Sequence, residues 1–108
     1  MREPITPGKK FNAKEGTPYA EGSVVSKTII KKTTGTVTLF SFDAGEGLSE
    51  HSSPHEALVQ VQEGSVEITI GGEPSVVTEG ECLILPANVP HALKAVERFK
   101  MLLTMIKS

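Results

Sequence analysis

The chain has 108 residues, with 11 basic against 13 acidic side chains and a formal net charge of −2, a size suited to one domain whose single core buries roughly 60–70% of the unfolded surface. The near-balance of charge excludes the basic footprint of a nucleic-acid or anionic-membrane binder, and the dense pairs Lys9-Lys10 and Lys31-Lys32 read as solvated surface. No apolar stretch approaches the ~20 residues that span a bilayer and the amino terminus has no signal-peptide core, so a cytoplasmic location is expected.

In chain order, residues 1–22 contain Pro4, Pro7 and Pro18 and lack periodicity, which reads as an irregular N-terminal arm, with 23–108 as one barrel domain. From Ser23 onward the text is β-branched and punctuated by turns. Strands are predicted at 24–31, 36–42, 57–62, 65–70, 75–78, 82–85, 91–96 and 99–106, separated by signals such as Thr33-Thr34-Gly35, Glu63-Gly64, Gly71-Gly72-Glu73-Pro74 and Glu79-Gly80. So many short strands with no helical spacing predict an all-β sandwich or barrel with almost no helix.

Alternation sorts the faces. Val66, Ile68 and Ile70 share one, Ala57, Val59 and Val61 another, and His91, Leu93 and Ala95 a third. Cys82, the only cysteine, excludes an internal disulfide, and within Cys82-Leu83-Ile84-Leu85 it reads as a buried small hydrophobe.

All three histidines fall in two windows, Gly45 to Ala57 and Gly80 to His91. Histidine is the commonest transition-metal ligand, and its clustering in two turn-flanked segments predicts strands that meet around one pocket. Pro54 between His51 and His55 excludes a helical histidine pair of the metalloprotease kind. Ser52 and Ser53 beside histidine do not make a nucleophile, because nothing in the sequence supplies the orienting third group. Glu50 and Glu56 read as surface charges, with Glu56 also placed to serve as a carboxylate beside the histidines.

The two windows resemble the paired motifs of the cupin superfamily, small double-stranded β-helix barrels of jelly-roll topology. Gly45, His51 and Gly64 match the first motif; Gly80, Pro86 and His91 match the second. The text from Val59 to Ile70 and from Phe99 to Ile106 also looks like single-domain cupins of the type-2 group, so the resemblance covers roughly residues 36–106. Four motif positions depart from it. Ser53 stands at the second histidine, Ala57 at the glutamate, Asn88 at a glycine and Ala95 at the final asparagine. Asparagine is the mildest replacement, since it tolerates a left-handed turn.

The resemblance implies a divalent transition metal (zinc, nickel, iron or manganese) held by three imidazoles and one carboxylate. This chain keeps His51 and His91 of that set, and His55 is the candidate third ligand. Three functions are therefore expected to compete. One is a metal-dependent barrel that binds or transforms a small oxygenated molecule. The second is a metal-free binding module, the same barrel with an apolar pocket from Val59, Val61, Leu93, Phe40 or Phe42 and Met101 or Met105 and with the histidines orienting the ligand; Ser53, Glu56 and Ala57 are also expected at the pocket. The third is a structural homodimer formed through edge strands and the arm, whose deletion would weaken the dimer more than the fold.

Overall fold

The computed structural model describes residues 4–107. Nine strands follow the arm: β1 (Val24–Lys32), β2 (Gly35–Phe42), β3 (Gly47–His51), β4 (Glu56–Glu63), β5 (Ser65–Ile70), β6 (Glu73–Thr78), β7 (Cys82–Leu85), β8 (His91–Ala95) and β9 (Phe99–Ile106). They form a five-stranded sheet of order β1-β2-β9-β4-β7 and a four-stranded sheet of order β3-β8-β5-β6. Every pairing is antiparallel. This is the expected jelly roll, and the helical content among the described residues is one 3-10 turn at Ala13–Glu15.

The predicted alternation is what closes the sandwich. Ala57, Val59 and Val61 of β4 and Val66 and Ile68 of β5 turn inward, each at most 5% exposed. They join Phe42, Phe99 and Met101 in one cluster. Phe42 and Phe99 stack at 4.4 Å between ring centroids, with Phe40 a further 5.8 Å along, the offset contact that adds about 0.5–1.5 kcal/mol to plain burial. Gly64, at φ +76° between β4 and β5, has no substitute: a Cβ there would stand 2.0 Å from the Arg98 carbonyl oxygen.

Strand β3 was not among the predicted strands. Gly47-Leu48-Ser49-Glu50-His51 has no β-branched residue, so its propensity is weak. It is extended because β8 pairs with it, through Gly47↔Lys94, Leu48↔Leu93 and His51↔His91, with a register shift between Leu48 and His51. Cys82 corrects the sequence reading, for its side chain is exposed. Strand β7 is the edge of its sheet, and along it Leu83 and Leu85 turn inward while Cys82 and Ile84 turn outward. Pro74 lies on the opposite sheet's edge strand, β6, where a missing N–H can be tolerated.

The arm is seated on the outer face of the large sheet. Thr17 is 2% exposed and shares a 2.6 Å hydroxyl contact with Ser41, whose hydroxyl also donates to the Thr17 carbonyl at 2.8 Å. Leu39, 1% exposed, lies beneath Gly16. Tyr19 donates to Glu63 at 2.6 Å while Arg98 and Lys100 stand 5.1 and 4.8 Å from its ring centroid. Burial first, and then the Glu63 carboxylate, raise the Tyr19 phenol well above its ordinary range.

Candidate functional site

Two short connections between the sheets build one end of the barrel. Residues 52–55 carry the chain from β3 to β4, and residues 86–90 carry it from β7 to β8. They are tied together by the Asn88 N–H donating to the Ser53 carbonyl at 2.7 Å. Asn88 has φ +64°, the left-handed conformation that its place in the motif requires. Where the two loops meet, His51 and His91 face each other as Cα partners across β3 and β8. Their ring centroids are 4.5 Å apart and their planes cross at 70°. His91 is 4% exposed, whereas His51 lies open to solvent.

Each ring is fixed by a backbone carbonyl two residues earlier. His51 Nδ1 is 2.7 Å from the Ser49 oxygen, and His91 Nδ1 is 3.1 Å from the Val89 oxygen. A carbonyl only accepts, so Nδ1 carries the hydrogen in both rings and a neutral imidazole is left with its lone pair on Nε2. The local sequence makes this arrangement twice, once at the end of a strand and once at its start. The result is two oriented basic nitrogens at one rim.

The remaining expected site residues are distributed differently. His55 lies half-buried in the loop, its backbone N–H donating to Ser53 Oγ at 3.1 Å, so Ser53 spends its hydroxyl on the turn around Pro54. Glu56 is exposed, on the face of β4 opposite to Ala57. Ala57 itself is 5% exposed and pairs with Leu85 on one side and Met105 on the other, both apolar. Val59 at 0%, Val61 at 3% and Leu93 at 4% exposure belong to the packed core. Expected to line a pocket, these three side chains pack in the closed core between the two sheets.

These positions decide whether the four-ligand metal set implied by the motifs fits. Two imidazoles are present, Ser53 is engaged by the His55 N–H, and Ala57 sits among apolar side chains. Among the described residues no group of three or more His, Cys, Asp or Glu side chains is assembled that could hold an ion. The residues do not fit that set. His55 is not gathered with His51 and His91 into a third ligand because Pro54 and the Ser53 turn divert the chain before β4 begins.

Comparison with known proteins agrees with the topology. A cupin domain family model matches residues 38–107. A conserved protein of unknown function from Streptococcus pyogenes is 36% identical, with 96% of this chain and 91% of that one covered and a TM-score of 0.91. A Cupin 2 conserved barrel domain protein from Leptotrichia buccalis is 43% identical with a TM-score of 0.87; the match covers 90% of this chain and 47% of that one, so this chain spans about half its length. A cupin superfamily protein from Desulfitobacterium hafniense is 27% identical over 84% of each chain, with a TM-score of 0.81. Comparison with curated proteins finds no match. With the jelly roll, the paired histidine motifs and the family model all coinciding over the same strands, this chain belongs to the cupin family.

Proposed function

We propose that this cupin binds a small oxygenated molecule at the rim formed by His51 and His91, through hydrogen bonds to imidazole rather than through a resident metal. The observation that carries the reading is the pair of Nδ1-to-carbonyl contacts on two rings whose centroids are 4.5 Å apart, which leaves the Nε2 atom of each as an acceptor. Neutral imidazoles accept from a ligand hydroxyl or carboxylic acid, and a protonated one donates to a carboxylate. Ala57 and Leu85, which adjoin the two loops, and Met105, paired with Ala57, are apolar and favour a ligand with a short hydrocarbon portion.

A weaker association of a divalent ion with the two Nε2 atoms is the second reading. It is favoured by the same contacts, because ligating histidines are usually oriented by a hydrogen bond from the other ring nitrogen. Thermal-shift titration of untagged protein with small hydroxy- and keto-acids, and separately with zinc, separates the two through linkage of binding to stability. The expected result is stabilisation by an organic acid that is lost in both His51→Ala and His91→Ala. Stabilisation that survives both substitutions would overturn the assignment, and a response to zinc alone would favour the second reading.

A further inference from the structure

The arm borders a cavity of about 540 Å³ against β1, and none of the residues lining it belongs to the histidine rim. Its volume falls within the roughly 300–1,000 Å³ of small-molecule sites. Two turns of the arm set the walls. In the first, the Lys9 N–H donates to the Thr6 carbonyl at 3.1 Å, with Gly8 at φ +87° between them. In the second, the Asn12 side chain accepts from the Lys14 N–H at 2.9 Å and starts the 3-10 turn that Gly16 closes. Gly16 lies against Leu39, whose partner on β1 is Lys27, so Lys27 stands on the same face beside that turn.

Charge is concentrated around this cavity. Lys9, Lys10 and Lys27 line it together with a single carboxylate, Glu15. Among the described residues none of these four side chains has an ion-pair partner. The positive excess is local, because the chain as a whole carries a formal charge of −2. A long polyanion or a membrane surface would meet the acidic remainder, whereas a small anion meets the lysines alone. Apolar surface completes the lining: Phe11 is 47% exposed and stacks on no other ring among the described residues, and Ile5 beside it is half-buried. Lysine ammonium is a compact point charge without the planar fork of arginine, so this set selects by charge rather than by the shape of the anion.

We propose that the cavity between the arm and β1 is a second binding site, for a small dianion that carries a flat apolar ring, a phosphate monoester or a dicarboxylate. The anion lies among Lys9, Lys10 and Lys27, which reach it from the arm on one side and from the sheet on the other. The ring lies on Phe11 and Ile5, where it gains offset stacking and removes exposed apolar surface from water. Glu15 opposes the anion and sets a limit on affinity. Because the lysines come from both the arm and β1, the bound dianion bridges the two and fastens the arm to the barrel.

Titration of backbone amide chemical shifts on the untagged full-length chain tests this, at low salt and about pH 7.5, where a phosphate monoester has lost its second proton. The probes are phenyl phosphate, phthalate, benzoate and benzyl alcohol. At least one dianion is expected to shift the amides of residues 6–16 and Lys27 saturably, with benzoate binding roughly 3–10-fold more weakly and benzyl alcohol not saturating. The tighter of phenyl phosphate and phthalate identifies the kind of anion. Lys27→Gln, and Lys9→Gln with Lys10→Gln, should each weaken that dianion about 2–5-fold. Glu15→Gln should tighten it by a similar factor, a gain that a misfolded variant cannot imitate. Phe11→Ala should weaken phenyl phosphate more than inorganic phosphate. No saturable binding of either dianion, benzyl alcohol binding as well as they do, affinity unchanged in the lysine and Glu15 variants, or shifts confined to the rim of His51 and His91 overturns the proposal.

Discussion

At residue scale, the rim is governed by which nitrogen each histidine can offer, and the backbone makes that choice through Ser49 and Val89. The motif resemblance puts the absent metal ligands at two other positions, which here hold Ser53 and Ala57. A carboxylate at 57 would stand among Leu85 and Met105, where an unpaired charge costs several kcal/mol. An ion that ligated it would offset that cost, so metal binding and stability become coupled. Ser53→His with Ala57→Glu is therefore expected to raise affinity for zinc or nickel at least ~10-fold, about 1.4 kcal/mol, and to give a larger metal-dependent rise in melting temperature than the wild type shows. Titration calorimetry on the wild type, the double variant and the double variant carrying His91→Ala measures it. Unchanged affinity in a folded double variant would mean that positions 53 and 57 do not face the imidazoles.

At the scale of elements, the arm behaves as a cover for β2. Its removal exposes Leu39 and Ser41, and burial of a leucine alone contributes about 1.5–3 kcal/mol. Deleting residues 1–20 should thus lower the urea midpoint of the monomer, contrary to the sequence expectation of an arm that matters chiefly to assembly. Thr17→Val is the finer test: it keeps the shape, removes the hydroxyl that meets Ser41 and should cost about 1 kcal/mol; a midpoint equal to wild type would show that the contact does not hold the arm. The arm's seat was illegible in the sequence because it depends on Leu39 facing away from the main core, and alternation alone does not say that an outward leucine has a lid. Most strands were legible, since Val66-Glu67-Ile68-Thr69-Ile70 and its like declare their faces. Strand β3 was not, because pairing with β8 rather than composition makes it extended. Of the site, the meeting of His51 and His91 could be read from motif spacing, while the turn that keeps His55 apart lay in backbone detail around Pro54.

At the scale of the whole molecule, Asp43 clasps two distant parts of the chain to its own corner just beyond β2. Its carboxylate accepts from the Gly22 N–H at 2.7 Å, from Arg98 Nε at 2.8 Å and from the Ala44 N–H at 2.9 Å, joining the end of the arm to the corner before β3 and the turn between β8 and β9. The Gly22 N–H first, then the Arg98 guanidinium and the Ala44 N–H, hold the carboxyl down to about 2 from the ordinary 3.8. A carboxyl depressed in the folded state binds fewer protons than the unfolded chain, so its stabilisation is fully present above pH ~4 and is lost as pH falls towards 2. Glu81, lowered by hydrogen bonds from the Thr78 N–H and hydroxyl, contributes in the same direction and must be subtracted. The comparison of wild type with Asp43→Asn does this, because Glu81 is common to both. Urea midpoints measured from pH 7 to pH 2 should show the variant less stable at neutrality, with the gap narrowing between pH ~4 and pH 2 as the wild-type carboxylate is protonated. A gap that stays constant across that window would show that the clasp acts through shape and hydrogen bonding alone, without the charge on Asp43.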